Sequence, residues 1–289
     1  MTNKTAKYKL GLIGYPLGHS LSPVLYNTAF KQFGLDGSYE LLPTESEDLI
    51  NRIKQLRREK YFGFNVTIPH KVPTTLFLAK YDEYINMVGA VNTVKIEEDS
   101  SLTGYNTDVM GFYRPIEHVN LKGAKAAVLG TGGASRAVVC GLHKAGVKKI
   151  DFYTRNVINS HDFVELIRQK FPQIEIKAIQ TSLMNSLEDV DILVNTTPVG
   201  MKNFEENSSP VSDEAMDSLS NNSIVYDIIY NPLRTALISK AIKRNINYIS
   251  GLDMLVAQAC YAFEIWTGLA PDFNLLKNAA LEEIIIKEC

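Results

Sequence analysis

The chain has 289 residues, a length that suits two domains of ordinary size better than one small module. Apolar residues make up 45% and charged residues 21%, the balance of a soluble globular protein. With 30 Lys and Arg against 32 Asp and Glu, the net charge of −2 argues against a nucleic-acid or anionic-membrane partner, so any basic residues that matter act locally.

The first residues run straight into an apolar segment too short and strand-like for a signal peptide, and no apolar run approaches bilayer length. The three cysteines, Cys140, Cys260 and Cys289, form no C-x-x-C pair, and Cys140 and Cys260 lie in apolar helical patterns. A cytoplasmic, reducing location is expected.

Residues 9–13 read as a strand ending at Gly14 and Pro16. Ser22-Pro23 has the form of a helix start, a hydroxyl N-cap with proline at the first helical position, and apolar spacing continues to Gly34. Residues 38–42 predict a second strand, 45–60 a second helix, and 61–66 a third strand. After Asp108 the pattern restarts, with strands at 126–129, 149–153, 191–194 and 224–227 and a helix at 134–145. Residues 203–213 read as an exposed polar loop, and helices are expected at 254–266 and 273–287. Alternating strands and helices predict an α/β fold.

A strand before Gly130-Thr131-Gly132-Gly133-Ala134-Ser135 and a helix after it are the recipe for a pyrophosphate cradle, the alternative being a glycine-rich turn without a ligand. Gly130 permits the tight turn, Gly132 lets the backbone approach, and the helix N-terminus offers N–H groups and a positive dipole end. Ser135 stands where the usual fingerprint has a third glycine. At the end of the next strand an NAD site carries an acid, whereas this chain has Thr154-Arg155-Asn156, with Asp151 several residues too early. Arg155 can stack on adenine and pair with a 2′-phosphate.

Ser20 and Ser22 follow the first strand, Asn65, Thr67 and Lys71 the third, and Asn92 and Asp108 end later segments. If these strands run parallel, all emerge near one edge, where α/β ligand sites collect. Lys71 supplies a cation able to give a proton, and Asp108 can orient and balance it. The five histidines have no metal-ligand spacing, and there is neither a G-x-S-x-G elbow nor a Walker phosphate loop. Trp266, Tyr261 and Phe263 read as helix packing.

These residues resemble a known family. His19-Ser20-Leu-Ser22-Pro23, Asn65-Val-Thr67-Ile-Pro69-His-Lys71, Gly89-Ala-Val-Asn92-Thr93 and Asn106-Thr-Asp108 look like the shikimate dehydrogenase family. So do Gly130 to Ser135, Tyr226-Asp227-Ile-Ile-Tyr230-Asn-Pro232 and Gly251-Leu-Asp-Met-Leu-Val-Ala-Gln258-Ala, in the family's order over nearly the whole chain. The resemblance implies reversible NADPH-dependent reduction of 3-dehydroshikimate to shikimate, in a substrate domain at 1–112 joined by 254–289 and a Rossmann NADP domain at 113–253. Chemistry is then expected in a cleft between them that closes over the reactants.

By resemblance, Ser20, Ser22, Thr67, Asn92, Tyr230 and Gln258 bind the substrate, and Lys71 and Asp108 form the catalytic pair. Gly130, Thr131, Gly132, Gly133 and Ala134 would hold the pyrophosphate, Thr154, Arg155 and Asn156 the adenosine phosphate. Thr196, Ile228 and Gly251 would line the nicotinamide side. Asn156 replaces a commoner threonine and Asn159 a commoner second basic residue, so NADP preference rests on Arg155. A quinate/shikimate dehydrogenase using NAD or NADP, or a catalytically silent dinucleotide-binding regulator, are the alternatives. A monomer or homodimer without bound metal is expected.

Overall fold

The computed structural model describes residues 7–18 and 20–288, apart from the side chains of 287 and 288. The readings that fall on residues 1–6, His19 and Cys289 lie outside the described residues. The chain divides into two compact units, Met1–Met110 with Val256–Cys289, and Gly111–Leu255.

The first unit is built on a six-stranded sheet of mixed direction. β1 (Tyr8–Gly14) leads to α1 (Ser22–Gln32), β2 (Gly37–Pro43), α2 (Leu49–Arg58) and β3 (Gly63–Val66). β4 (Lys80–Tyr81), α3 (Glu83–Val88), β5 (Thr93–Ile96), β6 (Leu102–Tyr105) and α4 (Thr107–Tyr113) follow. The strand order is β2-β1-β3-β5-β6-β4. β1 lies between β2 and β3 and is apolar along its buried length, as a strand covered on both faces must be. α2 buries Leu49, Ile53 and Leu56 at helical spacing.

Two expectations change here. β5 runs antiparallel to both β3 and β6, so the strands are not all parallel. Asn92 therefore precedes its strand instead of ending one, and the reversal of β5 returns it to the edge where β3 and β6 finish. Ser22 is also the first residue of α1 and not its N-cap, which is Leu21. The hydroxyl beside the helix start belongs to Ser20, whose Oγ accepts from the Ser22 N–H at 3.2 Å.

The second unit is a fully parallel doubly wound sheet. Its elements are β7 (Lys125–Leu129), α5 (Gly133–Lys144), β8 (Lys149–Thr154), α6 (His161–Lys170), β9 (Glu175–Gln180), β10 (Ile192–Asn195) and α7 (Asp213–Asp217). β11 (Ile224–Asp227), α8 (Ala236–Lys243), β12 (Asn247–Ser250) and α9 (Gly251–Thr267) complete it, α9 running on into residues of the first unit. The order β12-β11-β10-β7-β8-β9 is the Rossmann arrangement, with the switch point between β7 and β10. The polar loop is exposed at 203–208, but Val211 is buried in the core with Leu193, Met216 and Leu237. Asp151 sits inside β8, where its buried carboxylate meets Lys125 Nζ at 2.9 Å.

α10 (Phe273–Glu288) packs on α1 in the first unit. Phe263 lies against Phe30 and Phe33 with ring centroids 5.3 and 5.9 Å away. Trp266 donates its indole N–H to the Val94 carbonyl at 3.0 Å, a close approach that a Cβ at Gly63 would block. These aromatics are core, and Cys140 and Cys260 are buried free thiols. No helix among the described residues is long and apolar enough to cross a membrane.

Candidate functional site

In the first unit the strand ends bring four short segments together. β3 stops at Val66, and the loop beyond it carries Thr67, the cis Ile68-Pro69 bond and Lys71. The Val91 N–H donates to the Lys71 carbonyl and the Val66 N–H to the Asn92 carbonyl, at 2.9 and 2.8 Å, which ties this loop to the entry of β5. β6 delivers Asn106, whose N–H donates to Asp82 and whose amide donates to the Ala90 carbonyl. Asp108 follows in the first turn of α4.

The side chains then form one directed network. Lys71 Nζ donates to Asp108 Oδ2 and Asn92 Nδ2 donates to Asp108 Oδ1, both at 2.7 Å. Asn92 Oδ1 accepts from the Thr107 N–H at 2.8 Å, so its amide cannot turn over without losing bonds at both ends. Behind it, Asn65 donates through Nδ2 to the Asn92 carbonyl at 3.1 Å and to Thr93 Oγ1 at 3.0 Å. Thr93 and Thr107 face each other at 3.0 Å, and Thr107 Oγ1 lies 3.5 Å from Gln258 Oε1 on α9.

Lys71 and Asp108 keep side-chain exposures of 32% and 20%, while Asn92, Thr93 and Thr107 are buried. The pair is thus held from the protein side and open on the other. Such an arrangement can give a proton to an oxygen that gains negative charge and can balance the ammonium that gives it. His70 is spent structurally, its buried Nε2 paired with the Thr44 carbonyl at 2.7 Å. The described residues contain no cluster of three or more His, Cys, Asp or Glu able to hold a metal.

Ser20, Ser22, Thr67, Asn92 and Gln258 all belong to the first unit, whereas Tyr230 belongs to the second, as do the residues expected at the dinucleotide. Tyr230 follows β11, and burial raises its phenol above the ordinary value. Its loop is anchored by buried Asp227, which accepts from Thr235 Oγ1, Asn195 Nδ2 and the Ile229 N–H at 2.7, 3.0 and 3.2 Å. Desolvation pushes the Asp227 carboxyl up to about 6. Gly251 packs so closely on the Ile228 carbonyl that any side chain there would collide with it.

The glycine turn lies at the switch point. Gly130 has φ +94°, left-handed backbone that glycine adopts without strain. α5 begins at Gly133 behind Gly132, an N-cap with no side chain to close over the first-turn N–H groups, and a Cβ at Gly132 or Gly133 would enter open space. This backbone fits a pyrophosphate. Ser135, in place of a third glycine, is fully buried, 3.0 Å from the Gly130 carbonyl and 2.7 Å from Thr196 Oγ1. Thr196 in turn donates to the Leu129 carbonyl at 2.6 Å, so one hydroxyl pair staples β7, α5 and the end of β10.

At the end of β8, Arg155 is exposed, while Thr154 turns its hydroxyl inward to Ser160 at 2.7 Å. Ser160 Oγ also donates to the Asn156 carbonyl at 2.9 Å and meets Thr131 Oγ1 at 3.0 Å, joining the glycine turn to the β8 loop. Asn156 Oδ1 accepts from the Asn159 N–H at 3.1 Å, which commits the Asn156 side chain to the turn. Arg155 is left as the cation of this loop.

A model of the shikimate dehydrogenase substrate binding domain matches residues 12–94, and one of the shikimate 5′-dehydrogenase C-terminal domain matches 251–281. A shikimate dehydrogenase (NADP(+)) of Caldanaerobacter subterraneus subsp. tengcongensis is 40% identical over 260 residues, 89% of this chain and 91% of that protein. The chain belongs to the shikimate dehydrogenase family.

Among solved structures, a shikimate dehydrogenase in complex with NADP+ is 35% identical, with a TM-score of 0.87 over 96% of each chain. A quinate dehydrogenase of Corynebacterium glutamicum in complex with NAD is 27% identical, with a TM-score of 0.88 over 95% of this chain and 99% of that one. Both structures share this fold, at 35% and 27% sequence identity.

Sequence reasoning missed three residues that this member uses to hold the site together: Tyr39, Thr93 in its hydrogen-bonding role, and Ser160. Tyr39 donates to Asn65 Oδ1 at 2.8 Å. It lies on β2 and Asn65 on β3, with β1 between them, so only the strand order and register reveal the contact. Ser160 stands in a polar stretch with nothing to mark it as a junction.

Proposed function

We propose that the chain catalyses the reversible NADPH-dependent reduction of 3-dehydroshikimate to shikimate, in chorismate and aromatic amino-acid biosynthesis. The observation that carries this reading is Asp108 held at both oxygens, by Lys71 and by Asn92, on the open edge of the first sheet. A hydride acceptor develops alkoxide charge on its oxygen, and an ammonium at that oxygen stabilises it and supplies the proton. Asp108 keeps the ammonium aimed and balanced, and Asn92 keeps Asp108 from rotating away.

Ser20, Ser22, Thr67, Asn92, Tyr230 and Gln258 are assigned to the carboxylate and hydroxyls of the substrate, which hydroxyls and amides suit by hydrogen bonding. NADPH, when bound, supplies the hydride. Gly130, Thr131, Gly132, Gly133 and Ala134 would take its pyrophosphate and Arg155 its 2′-phosphate, with Thr154 and Asn156 shaping the loop that presents Arg155. Thr196, Ile228 and Gly251 are assigned to the nicotinamide side. The first unit then acts as the substrate domain and the second as the NADP domain. Two buried free thiols suit the reducing cytoplasm, and the working form is proposed to be a monomer or homodimer.

The test is oxidation of shikimate with NADP+, followed by the absorbance of reduced nicotinamide, with NAD+ and with quinate as parallel arms. Shikimate with NADP+ should give the highest kcat/KM. A higher value for quinate or NAD+ would move the chain to the quinate/shikimate reading, and no turnover at saturation would leave a silent regulator.

A further inference from the structure

Tyr39 lies on β2, two strands away from Asn65, and touches neither Lys71 nor Asp108 through any hydrogen bond. We infer that Tyr39 is a positioning residue for the reaction, acting through Asn65 and Thr93 on the orientation in which Asn92 holds Asp108. The inference rests on the reading of Lys71 and Asp108 as the reacting pair.

The Asn92 carbonyl can only accept, so Asn65 presents Nδ2 to it at 3.1 Å and the same nitrogen serves Thr93 Oγ1 at 3.0 Å. That choice leaves Asn65 Oδ1 as an acceptor inside a residue only 6% exposed, and the Tyr39 phenol donates to it at 2.8 Å. Thr93 Oγ1 accepts from Asn65 and keeps its own proton for Asn92 Oδ1 at 3.2 Å or for the hydroxyl pair with Thr107 Oγ1 at 3.0 Å. Asn92 Oδ1 is then an acceptor on all sides, and Nδ2 has one direction left, toward Asp108.

The phenol is suited to this part. Tyr39 is buried, stacked on Tyr26 with centroids 4.3 Å apart, and desolvation pushes its pKa far above the ordinary value, so it stays a donor at any working pH. The Ser22 side chain interacts with the same phenol. Tyr39 therefore stands between a hydroxyl assigned to the substrate and the amide that sets the reacting end. Removing the hydroxyl takes from the buried Asn65 Oδ1 the donor that holds it at 2.8 Å, a loss large enough to shift the Asn65 amide.

The experiment compares wild type, Tyr39→Phe, Asn65→Ala and the double variant in shikimate oxidation, with thermal unfolding measured alongside. Tyr39→Phe should lower kcat about tenfold, the scale of one buried hydrogen bond, and leave the KM for NADP+ unchanged. The double variant should be no slower than Asn65→Ala alone, because the two residues act in series. A folded Tyr39→Phe protein with wild-type kcat, or losses that simply add, would overturn the inference. If Tyr39→Phe does not fold, Thr93→Val cuts the same chain with little change of shape, and an unchanged kcat there overturns it equally. A wild-type protein inactive on shikimate would instead sink the underlying functional reading, and the inference with it.

Discussion

The Lys71 ammonium donates to Asp108 Oδ2 at 2.7 Å across a separation of 37 residues. Asn92 occupies the other carboxylate oxygen at the same distance, so the carboxylate has no free rotation about its last bond. A salt bridge this exposed stabilises the fold little, because water screens it. Its worth lies in aiming the ammonium.

Lys71→Ala removes the proton donor and leaves the rest of the network in place. Turnover of shikimate should fall by about two to four orders of magnitude, the usual scale for a general acid or base. The KM for shikimate should change far less, and steady-state kinetics in both directions separates the two parameters. A rise in KM with kcat intact would make Lys71 a binding group only.

Arg155→Ala tests the adenosine end. Thr154, Asn156 and Asn159 carry no charge, and the first two spend their side chains on local bonds, so none of these neighbours replaces the lost cation. The kcat/KM for NADP+ should drop by about 10- to 100-fold, the scale of one charge-assisted bond. The value for NAD+ should stay within about twofold, since it has no 2′-phosphate to lose. Equal losses with both cofactors would place Arg155 elsewhere than on the 2′-phosphate.

Ser135→Ala breaks the hydroxyl staple between the glycine turn and Thr196 while keeping the backbone. Affinity for NADP+, followed by titration of protein fluorescence, should weaken by about 5- to 10-fold, as for one lost buried hydrogen bond. Affinity for 2′-AMP, which lacks the pyrophosphate, should hold. Ser135→Gly, the residue of the usual fingerprint, should bind no better than the alanine variant, because it too lacks the hydroxyl.

Asp227 makes stability depend on pH. Its folded pKa of about 6 exceeds the ordinary 3.8, so the folded state holds the proton more tightly than the unfolded chain. Stability from this group is fully present below the unfolded value and is lost as pH rises through the folded one, by about 3 kcal/mol in all. Asp227→Asn should flatten that fall between about pH 4 and pH 6, measured as Tm against pH. A wild-type Tm that rises steadily across this window, with the variant parallel to it, would contradict the assignment.

The alternation of apolar strands and amphipathic helices made the α/β class legible, and β11 begins and ends where the sequence places it. The strand, glycine turn and helix at 125–144 were equally plain, because the chemistry of a phosphate cradle is local: it needs a turn, free N–H groups and a helix behind them. Lys71, Asn92 and Asp108 could be picked out as polar residues at segment ends. Arg155 could be picked out by its place after β8.

What the tertiary structure decided is which of those groups meet, and in which direction their protons point. β5 is four residues long and runs against its neighbours, and no periodicity in four residues reveals direction. That reversal is what carries Asn92 to the edge shared with Lys71 and Asp108. Tyr39, Ser135 and Ser160 matter for the same reason: each is an ordinary polar residue until packing buries it and forces its hydroxyl to find a partner. Periodicity is a property of one segment, so sequence alone settled the fold class and the kinds of chemistry on offer. Hydrogen-bond direction in a buried network depends on every member at once, and only the folded chain determines it.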